Sequence, residues 1–153
     1  MTAVLGMQCS PKAVFLAIAE DGEILDLGPQ RVLVPDGLKD TSSVLTLAAE
    51  LRRRLAEVDV VRGALLAPQS YDGGPKAVAS RAGAEAILRL TAAERGVDVE
   101  ILNRSTARAR LGISAAGKLE EHLVTLFPHP SGKYWNDGRK YAAFAALASE
   151  KRR

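Results

Sequence analysis

Short apolar runs open the chain. One begins at Val4-Leu5-Gly6, a second spans Ala13 to Ala19, and a third spans Ile24 to Val34. Each reads as a strand. Asp21-Gly22, between the second and third runs, predicts a two-residue hairpin, because both central positions tolerate positive φ. Gly28-Pro29 interrupts the third run and predicts a bulge or bend. The period then changes. Val44, Leu47, Ala48, Leu51, Leu55 and Val58 share one face at 3.6 residues per turn, so a helix is predicted from Thr41 to about Glu57, capped by Asp40 or Thr41. Arg52, Arg53 and Arg54 fall mostly on its other side and read as a solvated face.

Val60 to Ala67 is almost entirely apolar, as befits a strand buried on both faces. A loop over Gln69–Gly74 leads to Pro75, a good first-turn residue, and a helix to about Glu94. Its Ala79, Ala82, Gly83 and Ala86 form a small-residue face suited to close contact with the sheet. Gly96 is its expected C-cap. Val97 to Leu102 reads as a fifth strand. Ser105 or Thr106 is expected to cap a short helix to Arg110. Further helices are expected from about Ala115 to Phe127 and from about Asp137 to Glu150.

A meander followed by helix–strand–helix–strand–helix predicts an α/β domain. Its mixed five-stranded sheet has three antiparallel and two parallel strands, with helices on both faces. The right-handed crossover rule places the fourth strand beside the first and the fifth beside the fourth. Ligands of such sheets bind at the carboxyl ends of the strands. Here that edge gathers Gln8, Cys9 and Ser10, then 67–71, then the start of the last helix. One domain over 1–150 and a basic tail at 151–153 are expected.

Composition narrows the chemistry. Cys9 is the only cysteine, so a thiolate zinc site and an internal disulfide are excluded. With no signal peptide pattern and no apolar run long enough to span a bilayer, a cytoplasmic protein without a membrane partner is expected. Charge is uneven. Residues 1–100 hold 11 Lys+Arg against 14 Asp+Glu, whereas 101–153 hold 10 against 4. That asymmetry points to an anionic partner for the C-terminal third, the alternative being a solvated basic face.

Val4-Leu5-Gly6-Met7-Gln8 resembles the first strand of RuvC-type resolvases, which ends in Gly-hydrophobic-Asp. Pro75 to Gly96 with the strand after it, Ser105-Thr106-Ala107-Arg108, and the Ala-rich Tyr141 to Leu147 resemble later elements of the same family. The chain is thus similar, over nearly its full length, to RuvC-like members of the ribonuclease H-like superfamily, and to short stand-alone bacterial proteins of that superfamily. The resemblance implies about four carboxylates holding two metal ions at a scissile phosphate. Carried over, the first falls on Gln8. The second falls near Ala67 to Gln69, where no acid stands. The last pair falls near Asn136 to Lys140, where only Asp137 remains beside Arg139 and Lys140. An amide is a poor ligand for a hard divalent cation. A catalytically degenerate domain with no metal and no cofactor is therefore expected, acting by binding nucleic acid or a protein partner. The alternatives are a nuclease with a site rearranged around Asp72 and Asp137, and a structural homodimer pairing through the third strand.

The segment Lys133-Tyr134-Trp135-Asn136-Asp137-Gly138-Arg139-Lys140 combines rings with cations, the combination that stacks bases and pairs phosphates. The expected nucleic-acid contacts are Lys133, Tyr134, Trp135, Arg139 and Lys140, with Arg104 and Arg108. The structural alternative is that Trp135 packs as a lid over the sheet edge. Gly73-Gly74-Pro75-Lys76 lacks the full phosphate-loop pattern. Cys9, His122 and His129 have no neighbouring partners that set up catalysis.

Overall fold

Six strands form one mixed sheet in the computed structural model, which describes residues 3–26, 28–68, 73–130 and 132–152. The strands are β1 (Val4–Cys9), β2 (Ala13–Glu20), β3 (Glu23–Leu25), β4 (Arg31–Leu33), β5 (Arg62–Leu66) and β6 (Asp98–Leu102). The helices are α1 (Thr41–Leu55), α2 (Pro75–Glu94), α3 (Arg104–Arg110), α4 (Leu119–Leu126) and α5 (Lys140–Glu150). β1 pairs antiparallel with β2 and parallel with β5, and β5 pairs parallel with β6. Both crossovers therefore land where the handedness rule put them. The hairpin also forms as expected. Asp21 (φ 53°) and Gly22 (φ 81°) both lie in the left-handed region, with Glu20 opposite Glu23.

The third strand departs from expectation: it is two strands, so the sheet has six members rather than five. Phe15 lies opposite Arg31 and Ile18 opposite Leu25, so two residues of β2 face five on the other side. Gly28 (φ 78°) turns the chain, and Pro29 brings no N–H to the ladder. β3 and β4 follow one another along the same outer edge of β2.

Two layers of helix cover the sheet. Leu5, Met7, Val14, Leu16, Ile18 and Leu65 point to one face and pack on Leu47, Leu51 and Leu55 of α1 and Ala84 and Leu88 of α2. On the other face Ala64 and Leu66 meet Ala107 of α3, Leu119 and Leu123 of α4, and Phe144 of α5. The close helix contact belongs to α5, not α2. Ala79, Ala82 and Ala86 are exposed, and α2 turns Ser80, Ala84, Leu88 and Ala92 inward instead. In α5 every residue from Ala142 to Ser149 is buried. A Cβ on Gly6 would lie 1.8 Å from the Ala142 carbonyl oxygen, so only glycine lets this helix settle on β1.

Helix starts shift for local reasons. Asn103, not Ser105 or Thr106, caps α3, accepting from the Thr106 N–H at 2.8 Å. α4 starts at Leu119 rather than near Ala115, because Gly117 is left-handed and Lys118 is extended. The last helix starts at Lys140, after a separate wide turn over Trp135–Arg139. Asp40 caps α1, accepting from the Ser43 N–H at 2.8 Å.

Candidate functional site

The carboxyl ends of β1 and β5 open into a cleft of about 320 Å³. Gln8, Cys9 and Ser10 bring β1 to it, Leu66 and Pro68 bring β5, and Arg81, Arg104 and Glu120 reach in from α2, α3 and α4. The sheet thus places Gln8 where the topology predicts a ligand edge. Gly138 closes on it. A Cβ at Gly138 would lie 3.0 Å from Gln8 Oε1 and 2.6 Å from the Phe15 ring. Its φ of 153° and the missing side chain let the wide turn lie flat against the end of β1.

The charged groups are held by rings and by each other. The Arg104 guanidinium lies 4.7 Å from the centre of the Tyr141 ring, and its buried Nε has no hydrogen-bond partner. The Lys140 ammonium lies 5.5 Å from the same ring. The Tyr141 hydroxyl donates to the Glu120 carboxylate. Burial, then this hydrogen bond, push the Tyr141 phenol up to about 12. The same bond, with Arg104 and Lys140 nearby, holds the Glu120 carboxyl below its usual range. Arg81 is largely buried and lies 3.9 Å from Glu85. Burial pushes the Cys9 thiol well up, so it rests as a neutral, inert thiol.

A pair of divalent ions does not fit this donor set. Glu120 is the only carboxylate among the described residues lining the cleft. No group of three or more His, Cys, Asp or Glu stands together anywhere among the described residues. Two-metal chemistry needs several hard carboxylate oxygens at once. Gln8 offers an amide, and two guanidiniums stand where the ions would need negative charge. Asp137 is exposed on the wide turn, while Gln69 and Asp72 lie outside the described residues.

The segment Lys133–Lys140 divides among three surroundings. Lys140 and Trp135 line a small hollow that shares Glu120 with the cleft. The Trp135 ring stands edge-on to Phe127, centroids 5.0 Å apart at 84°, so it packs over the sheet end like a lid. Tyr134, with φ at 63°, turns the other way, under the Arg31 guanidinium at 3.9 Å. The exposed Lys133 donates its N–H to Gln30 Oε1 at 2.6 Å.

Arg139 is the correction within this segment. Its exposure is 0%, which removes it from any surface contact. Its Nε donates to the Leu16 carbonyl at 3.0 Å. Leu16 lies where the strand opposite β2 breaks, so Arg139 supplies a donor that a continuous strand would have supplied. Burial lowers its hold on its proton, and Asp26 opposes that loss. Arg108 is also bound inward, donating to the carbonyls of Ser114, Ala116 and Gly117 at 2.6–3.2 Å. Sequence reasoning missed Arg81 and Glu120. The signal for Arg81 was its place one turn beyond Ala77 on a helix whose start abuts the strand ends.

No protein-family model and no curated protein matches the chain. Solved structures do. RuvC of Thermus thermophilus superposes with a TM-score of 0.73 at 16% identity, covering 97% of this chain and 93% of that one. The same protein in complex with a Holliday junction substrate gives 0.72 at 15%, covering 99% and 94%. The chain has the RuvC-type, ribonuclease H-like fold. The cleft at Gln8 lies at the end of the first strand of that fold, where the ligand-edge rule puts a binding site.

Proposed function

We propose that this RuvC-like domain binds the phosphate backbone of nucleic acid across the cleft at Gln8 and does not cut it. The observation that carries the proposal is the lining: Arg81 and Arg104 around an amide, on a fold that elsewhere is seen holding a DNA junction. Fixed guanidiniums pair phosphate directly, without a metal bridge. Lys140, in the hollow that shares Glu120 with the cleft, extends the positive surface.

The test is a fluorescence anisotropy titration with single-stranded, duplex and four-way-junction DNA at two salt concentrations, followed by incubation with magnesium or manganese. Affinity is expected to fall steeply with salt as bound phosphates release counterions. No product is expected with either metal. Absence of binding at low salt would retire the proposal. Specific cleavage that disappears in Asp137→Ala would replace it with a metal site rebuilt around that residue.

A further inference from the structure

A second concavity lies across the Ser10–Lys12 turn from the cleft. It is a groove of about 1030 Å³ between the outer edge of β4 and the exposed side of α1. Its floor is aliphatic, with Leu33 61% exposed on it. Its rim carries Lys12, Arg31, Arg53 and Arg54 against one lining carboxylate, Glu50. Glu50 receives Arg53 at 2.6 Å and Arg54 at 3.0 Å, which presets both guanidiniums toward carboxylate.

The strand edge adds main-chain groups. Leu16 donates to the Gln30 carbonyl and Val34 donates to the Lys12 carbonyl. These bonds turn 30, 32 and 34 toward β2. The N–H and C=O groups of Arg31 and Leu33 therefore face away from β2, along the open edge.

We propose that this groove binds an acidic polypeptide segment carrying apolar side chains, added as an extended strand beside β4. An extended segment would pair with Arg31 and Leu33 through its backbone, set alternate apolar side chains on Leu33, and meet the rim cations with its carboxylates. Charge complementarity selects an acidic partner, and the aliphatic floor selects a peptide over a nucleic acid. The groove's one ring, Tyr134, already has the Arg31 guanidinium stacked on it, 3.9 Å from the ring centre. A backbone held in the left-handed region at Tyr134 keeps that pair in place.

The proposal is independent of the cleft, and its test is too. The probe is a fluorescein-labelled peptide of alternating Asp/Glu and Leu/Phe, titrated by anisotropy against the full chain. Saturable micromolar binding is expected. Replacing the acids by Asn/Gln, replacing the apolar residues by Ser, or N-methylating alternate peptide amides should each weaken it at least about tenfold. These comparisons use the unaltered protein, so they do not depend on how a variant folds. On the protein side, Leu33→Asp and Lys12→Glu alter exposed side chains. Each should weaken the peptide by a similar factor with an unchanged urea midpoint. No saturable binding at low salt, or equal binding of the N-methylated peptide, would overturn the proposal. So would a thymidine oligonucleotide that displaces the peptide and loses affinity in the same two variants, which would make the groove a nucleic-acid surface. A concentration-dependent dimer dissolved by Leu33→Asp would overturn it in favour of a second copy of the chain.

Discussion

The strand-end cleft and the β4–α1 groove flank the same turn and are both lined by arginine, yet Arg104 of the one and Arg53 and Arg54 of the other are held in opposite ways. In the cleft, Arg104 rests on the uncharged ring of Tyr141, while Arg81, at 11% side-chain exposure, lies 3.9 Å from Glu85. In the groove, the exposed Arg53 and the half-buried Arg54 share the Glu50 carboxylate. A cation seated on a neutral ring keeps its charge for an incoming anion. A cation set by a carboxylate offers an exchange of one carboxylate for another, and exposed pairs of this kind contribute little to stability. Two arginines in the cleft and three in the groove thus describe two different surfaces: one suited to phosphate, the other to an acidic chain with apolar side groups.

Arg139, buried and lining neither, gives the largest expected effect. Its Nε holds Leu16 of β2, a Cβ on Gly132 would lie 2.5 Å from its Nη1, and the wide turn it ends closes on Gln8. Arg139→Ala leaves the Leu16 carbonyl without that donor and opens space under the sheet. The expected cost is about 3 kcal/mol, which corresponds to a fall in Tm of about 10 °C. Urea and thermal denaturation measure it. A midpoint within error of the parent would show that the buried guanidinium contributes nothing.

The next effect separates the two surfaces. Arg104→Ala is expected to weaken oligonucleotide binding about tenfold and to lower the salt slope by about 1, leaving the acidic peptide unaffected. Leu33→Asp is expected to do the reverse. Arg104→Lys should rescue poorly, because an ammonium does not lie flat on a ring as guanidinium does. Loss of both ligands in either variant would merge the cleft and the groove into one site.

Most of the parallel half of the sheet was legible in the sequence. A run that is apolar but for Arg62 marks β5, and Asp21-Gly22 marks the hairpin, because both signals are local. The split of the third strand was half legible. Gly28-Pro29 announced a bend, but the loss of register on β2 depends on what fills the gap, and Arg139 lies 123 residues away from Leu16. The same distance problem hid the fate of the basic segment. Neighbours in sequence share a surface only while the backbone stays regular. Left-handed Tyr134 and open-φ Gly138 send Tyr134 to the groove, Trp135 to the lid and Arg139 to the interior. Gln8 was read correctly as lying at the end of the first strand because a strand end is fixed by a local pattern. The two arginines around it come from two helices and Glu120 from a third, and no spacing in the chain reveals that.

The smallest predicted effect tests the cleft from its floor. Tyr141 carries the Arg104 guanidinium on its face and gives its proton to the Glu120 carboxylate as a hydrogen bond. Burial and that bond place its phenol at about 12, against about 10 when unfolded. The folded state therefore holds this proton more tightly. The stabilisation is whole below pH of about 10 and is lost as pH rises toward about 12. Tyr141 is partly solvated, so the contribution stays below about 1 kcal/mol. The phenolate absorbance of the parent minus that of Tyr141→Phe, followed by rapid pH jump, isolates the group. Ionisation in that difference near the ordinary tyrosine range would mean that the ring is open to water and that Arg104 is not seated on it. Arg104→Ala should move the ionisation further up, since the guanidinium favours the phenolate. Lys12→Glu, across the turn in the groove, should leave it in place. A shift produced equally by both substitutions would show that the field at Tyr141 is set by overall charge and not by the cation stacked on it.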